Sequence, residues 1–313
     1  MPADPVSPPD ERPRYDAAVV GGGPAGLSAA SWLGRYRREV VLVDSEEYRN
    51  ASVDLSHGFL GNDPIPPDEL RRKAVAEVRR YPSVTFEVGR RVQTVTGVRD
   101  RFELALEDGS TILRARRVIL ATGVRDAFPE VDGFFDHYGA SVFHCASCDG
   151  YEAKDRDVVV FGWGDHIAGF ALGLLTWARS VTVITDGRHF EGAPEERALL
   201  IEYGVHVLED EAVELCGPRG DLKAVRLEGG ATLPCQLAFF SIAHHPNNRL
   251  AADLGCLVVD AGCVEVDRDG VTSVPGVYAA GDLTPGVQLI SNAVAKGAAA
   301  ALHCAHSLLG ERP

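Results

Sequence analysis

No apolar run in the 313 residues approaches the roughly 18 needed to cross a bilayer, so no membrane association is expected. No Lys/Arg block offsets a formal net charge of −14, which opposes binding to nucleic acid or anionic lipid. The first fourteen residues hold five prolines and no apolar h-region. They read as a disordered leader without a secretory signal, which implies a cytoplasmic setting. Cysteine is sparse at seven, an odd number in a long chain without that signal. A structural disulfide framework is therefore not expected; core thiols, a metal site or redox chemistry remain.

What is present is the composition of a globular protein, 45% hydrophobic and 24% charged, long enough for two domains. A strand is expected over Tyr15–Val20, a helix from about Ala25 to Tyr36, and a strand over Val40–Val43 ending at Asp44. Pro67 opens a charged amphipathic helix, and Asp108-Gly109 marks a hairpin turn. A second strand–glycine–helix–strand–acid cycle starts at Asp157, with its helix over Ile167–Ala178. An alanine-rich helix, Ala293 to Leu309, closes the chain. Two such cycles predict an α/β fold of two Rossmann-like three-layer domains.

Gly21, Gly23 and Gly26, with Pro24 and Ala25 between them, fit G-x-G-x-x-G between strand and helix. The glycines permit a sharp turn, close approach of backbone amides to a pyrophosphate, and tight helix–sheet packing. Asp44 stands where a carboxylate can accept from ribose hydroxyls. The pattern indicates a dinucleotide without separating FAD from NAD.

Cys145 and Cys148 form the one C-x-x-C. Two thiols at that spacing can close a small disulfide reversibly. A metal reading needs further ligands, and no second pair exists, so no metal is expected. Two incidental thiols are the remaining reading. Asp149 follows directly, either as a proton-exchanging group or as a helix cap. His144 is placed to activate Cys145, and His244, in the turn His244-His245-Pro246-Asn247, is a candidate base.

Taken together, Gly21–Gly26, Ala121-Thr122-Gly123, Cys145–Gly150, His244–Asn247 and Ala280-Gly281-Asp282 resemble the low-molecular-weight thioredoxin reductase family over about residues 15–305. The resemblance implies an FAD domain over 15–124 and 247–313, with a NAD(P)-binding-like domain over 125–246 inserted into it and carrying the cysteines. It implies that Cys148 faces the flavin while Cys145 exchanges with the outside thiol. It also implies an FAD site drawing on Gly21, Gly23, Pro24, Ala25, Gly26, Asp44, Asn50, Val92, Thr122, Gly123, Gly281, Asp282, Gln288 and Leu289. The family is usually homodimeric.

The second loop departs from the reductases. It reads Gly162-Trp163-Gly164-Asp165-His166-Ile167, with Ile167 where a small residue would let helix and strand pack closely. The paired arginines expected for a 2′-phosphate are missing after the next strand, and Asp186 would repel that group. NADPH is therefore not expected as the reductant; NADH is less easily excluded, because Asp186 stands near an acid's ribose position.

Tyr48-Arg49-Asn50, Ser56–Leu60 and Cys148–Glu152 look like the branch that closes disulfides in natural products, the gliotoxin and holomycin type. Arginine outnumbers lysine 27 to 4, which is associated with GC-rich sources and favours the holomycin type. That branch implies an FAD-dependent dithiol oxidase acting on a small dithiol, with O2 as acceptor and H2O2 as by-product. The alternatives are a disulfide reductase driven by NADH or another donor, and a redox sensor with a retired nucleotide domain.

Overall fold

A computed structural model describes residues 14–109, 111–259 and 261–309; nearly all of the expected leader lies outside them. In chain order the elements begin with β1 (Tyr15–Val20), α1 (Pro24–Arg35), β2 (Val40–Asp44), α2 (Pro67–Val78), β3 (Val84–Val88), β4 (Val92–Val98), β5 (Arg101–Leu106) and β6 (Ile112–Leu120). Then come β7 (Val124–Ala127), α3 (Phe134–His137), β8 (Val142–Phe143), α4 (Ala146–Asp149), β9 (Asp157–Phe161), α5 (Ile167–Leu174), β10 (Ser180–Ile184) and α6 (Pro194–Glu202). The remaining strands are β11 (His206–Leu208), β12 (Ala212–Cys216), β13 (Ala224–Leu227), β14 (Thr232–Pro234), β15 (Leu237–Phe240), β16 (Ala243–Pro246) and β17 (Val277–Ala279), with α7 (Arg249–Asp253) and α8 (Ile290–Ser307).

The chain divides into two compact units, one built from residues 1–48, 71–124 and 246–313, the other from 49–70 and 125–245. In the first unit the sheet order is β3-β2-β1-β6-β5-β4, with β17 also paired to β6. The strands β3, β2, β1, β6 and β17 run parallel, and β4–β5–β6 is an antiparallel meander. Parallel strands are buried on both faces, so they read as unbroken apolar runs. Val19, Leu42 and Ile119 accordingly face a core with α1 and α8, while Val20, Val43 and Leu120 face one with the meander and α7.

The second unit repeats the scheme with a parallel sheet β11-β10-β9-β15-β8. Val158, Val160 and Phe239 pack with α5 and α6; Val159, Phe161 and Phe240 pack with α3 and the small sheet β12-β13-β14. Residues 49–70, read from sequence as part of the first domain, cluster with this unit. The cause is local bonding: Arg49 pairs with Asp126, and the Asp54 amide donates to the Gly139 carbonyl at 3.0 Å.

One expected boundary is corrected: the helix opening at Ile167 stops at Leu174, four residues short of Ala178. Arg117, a charged residue within a strand, is fully buried, because β6 runs between β1 and β5. Its guanidinium donates to Asp100 at 2.6 Å and to the Ser307 hydroxyl at 2.9 Å. Cys304 is fully buried in the α1–α8 core, and Cys216 is partly exposed.

The α1–α8 contact is tight enough to forbid side chains. A Cβ on Gly297 would stand 2.1 Å from the Ala25 carbonyl oxygen. Gly297→Ala should therefore push α8 off α1 and cost about 1–3 kcal/mol, read as a lower urea midpoint. An unchanged midpoint would show that the helices separate without penalty.

Candidate active site

The first unit builds a cradle at the N-terminus of α1. Gly21 takes φ +111°, and Cβ atoms on Gly21 and Gly26 would lie 2.3 Å from the Ala121 oxygen and 1.8 Å from the Gly21 oxygen. Pro24 occupies the first turn of the helix, where no backbone donor is lost. Gly23 is open, with nothing within 4 Å of a Cβ position, so the helix start is free to receive a phosphate. Gly281 returns against Ala25, 2.8 Å from Cβ to Cβ were it an alanine, and carries Asp282 to the same place. Lys296 fixes this return by donating to the carbonyls of Thr284 at 3.2 Å and Pro285 at 2.8 Å. Gln288 and Leu289 lead into α8, with Leu289 at its N-cap.

Asp44 is buried beside the loop, where one oxygen accepts from the Glu46 amide and the other from the Tyr48 hydroxyl. Burial, and then the Asp44 carboxylate, push the Tyr48 hydroxyl upward, so it stays a donor. Thr122 and Gly123 are locked to Asn247, whose amide side chain donates to the Thr122 carbonyl at 2.9 Å. Val92 buries its side chain in the core. Asn50 belongs to the other unit.

The second unit holds the cysteines. Cys145 and Cys148 form a disulfide, and the Cys148 amide donates to the Cys145 sulfur at 3.1 Å from the first turn of α4. Once the pair is reduced, that N–H would favour the Cys145 thiolate. Beside them the Tyr138 hydroxyl and His144 Nδ1 share a hydrogen bond of 3.2 Å. Burial pushes His144 down to about 4, which leaves it neutral and a weak base near pH 7. His244 is exposed and shares with His144 the field of Asp126. Burial would raise Asp126, but the bonded Arg49 guanidinium holds it below the usual carboxylate range.

Asp149 behaves oppositely. It is 6% exposed, makes no capping bond, and burial pushes it up to about 7. Of the candidate acid–base groups, it is the one matched to proton exchange at neutral pH. His57 and Glu152, which sequence reasoning did not single out, complete this corner: nitrogen and carboxylate atoms of His57, Asp149 and Glu152 all lie within 4.8 Å of one another. The signal was present, since both residues stand inside the segments that carried the resemblance.

The second glycine loop carries a branched side chain in place of its third small residue. A Cβ on Gly162 would meet Ile167 Cδ1 at 2.4 Å, and Ile167 is fully buried. The Arg188 guanidinium lies 4.1 Å over the Trp163 ring, and His166 bonds the Ser241 hydroxyl at 3.0 Å.

The family model for pyridine nucleotide-disulphide oxidoreductases matches residues 15–297. The chain belongs to that family. Its members of the thioredoxin reductase type bind FAD, and the cradle around Gly21, Gly26 and Gly281 fits that cofactor. The chain is 30% identical to thioredoxin reductase sirT of Leptosphaeria maculans, over 91% of this chain and 92% of that one. It is 31% identical to thioredoxin reductase tcpT of Claviceps purpurea, over 95% of each chain. Among solved structures it is similar to HlmI, with a TM-score of 0.88 and 34% identity over 94% of this chain and 92% of that one. The expected fold class, FAD and the thioredoxin reductase-like character are borne out. Among the described residues no helix is long and apolar enough to cross a membrane.

A carboxyl that titrates near 7 when folded and near 4 when unfolded loses stability as pH rises through that window. Asp149→Asn should therefore raise Tm by roughly 5 °C at pH 8 and leave it nearly unchanged at pH 4. Equal gains at both pH values would disprove the shift.

Proposed function

We propose that this thiol–disulfide oxidoreductase is an FAD-dependent dithiol oxidase that closes an intramolecular disulfide in a small natural-product dithiol. The observation that carries this reading is the altered second loop. Ile167 packs against Gly162 where a small residue would let the helix approach, and Arg188, the first arginine after β10, is stacked on Trp163. This arrangement supports a donor other than a nicotinamide for the redox disulfide. The 34% identity to HlmI and the similarity to sirT and tcpT support placing it with the natural-product branch.

In the proposed cycle one substrate thiolate attacks the Cys145 sulfur, the Cys145–Cys148 bond breaks, and a mixed disulfide forms. The substrate's second thiol then attacks its own mixed-disulfide sulfur, which closes the ring and frees Cys145. The substrate has lost two electrons and two protons, and the enzyme pair is a dithiol. FAD held by the cradle around Gly21, Gly26 and Gly281 would supply the two-electron route from this pair to O2, with H2O2 as the product. Cys148 serves as the flavin-side thiol and Cys145 as the exchanging one. Asp149 receives the proton that Cys148 must lose, and the homodimer is the proposed assembly in a cytoplasmic setting.

One observation favours a second reading, a disulfide reductase using NADH: Asp186 follows β10, where an acid can take an unphosphorylated ribose. Anaerobic mixing separates the two. A small dithiol should bleach the flavin of the holoenzyme, admission of air should restore it with H2O2 release, and Cys148→Ser should abolish both. Faster bleaching by NADH or NADPH than by dithiols would overturn the oxidase reading.

A further inference from the structure

Asp149 is nine-tenths buried, and no hydrogen bond among the described residues offsets the cost of its charge. A proton received there from Cys148 must reach solvent before the group can act again. His57 is the group placed between this carboxyl and solvent. Its Nε2 lies 3.6 Å from Glu152 Oε1, in the corner shared with Asp149. On the opposite side of the ring, Nδ1 lies 3.3 Å from Asp63 Oδ1, and the Asp63 side chain is 47% exposed. The imidazole thus stands between the buried Asp149 with the half-buried Glu152 on one side and the solvated Asp63 carboxylate on the other. The second oxygen of Glu152 is buried and has no hydrogen-bond partner among the described residues.

We propose that His57 is the proton relay of this site, carrying the Cys148 proton from Asp149, with Glu152, to Asp63 and solvent. The inference rests on the thiol–disulfide exchange proposed above and holds for either direction of electron flow. When the enzyme dithiol is reoxidised, two electrons leave the sulfurs and two protons leave the thiols; the relay handles the Cys148 proton. O2 takes up two electrons, and two protons drawn from solvent complete H2O2, so charge balances over the turnover. A neutral imidazole protonated at Nδ1 can accept at Nε2 and release at Nδ1, which returns it to its starting tautomer after a ring turn or solvent exchange. The charged and titratable groups that face Asp149 are His57, Glu152 and the Tyr138 hydroxyl; those that face His57 are Asp63, Glu152 and Asp149.

The test uses holoenzyme and dithiothreitol under nitrogen, followed by flavin bleaching from pH 5.5 to 9. His57→Gln should slow bleaching by about tenfold or more and flatten its pH profile, with partial rescue by added imidazole. Asp63→Asn, at the exposed end, should give a smaller loss of the same kind. Difference infrared titration of the Asp149 carboxyl, identified by its loss in Asp149→Asn, gives a readout independent of turnover. Its midpoint should move up in His57→Gln, which removes the neighbour that favours the carboxylate, and down in Glu152→Gln, which removes the one that disfavours it. A wild-type rate and pH profile in His57→Gln, with an unmoved carboxyl midpoint, would overturn the relay alone. Failure of dithiothreitol to bleach the wild type would overturn the exchange reading and the relay with it. Stoichiometric zinc in the isolated holoenzyme, lost in His57→Gln, would replace the relay with a metal centre.

Discussion

The first unit depends on backbone approaching backbone where no side chain fits. Gly21, Gly26, Gly281 and Gly297 bring three separate stretches of chain to the N-terminal turn of α1. A Cβ on Gly21, Gly281 or Gly297 would lie within 2.8 Å of another segment, and one on Gly26 would lie 1.8 Å from the Gly21 oxygen of its own loop. The same constraint produces the cradle: because the chain crowds in around α1, the opening at Gly23 is left as the approach to the helix start. Lys296 then holds the Gly281 turn through backbone carbonyls, so the C-terminal helix shapes a site whose glycine motif lies at the other end of the sequence.

The second unit shows what happens when the same scaffold carries a branched residue at the third small position of the equivalent turn. Ile167 packs against Gly162, and the Arg188 guanidinium is taken up by an indole face. The candidate redox site lies instead at β8 and α4, where burial divides two neighbouring groups. His144 is driven toward neutrality with its proton gone, and Asp149 toward neutrality with its proton kept. Low polarity disfavours charge in both cases, yet it leaves one a weak base and the other an acid poised near neutral pH.

The regular elements were legible because parallel strands buried on both faces leave unbroken apolar runs, as at Val40–Val43 and Val158–Phe161. The glycine loop and the cysteine pair were legible because their chemistry requires short fixed spacings. Arg117 was not, since a charged residue in a strand reads as surface until its partners Asp100 and Ser307 are known. His57 was hidden for a similar reason. It lies 92 residues before Asp149, in a stretch without periodic structure, and only tertiary folding brings them together.

The discontinuity of the first unit also bears on how the chain is made. Its sheet lacks β17, and α1 lacks the cover of α8, until the last segment after residue 245 has been synthesised. The second unit, by contrast, has all of its strands once β16 has emerged. During synthesis β6 therefore waits with an unpaired edge and α1 with an uncovered apolar face, while the inserted unit can already be complete. Premature release of the chain would leave a folded middle flanked by an open, association-prone sheet.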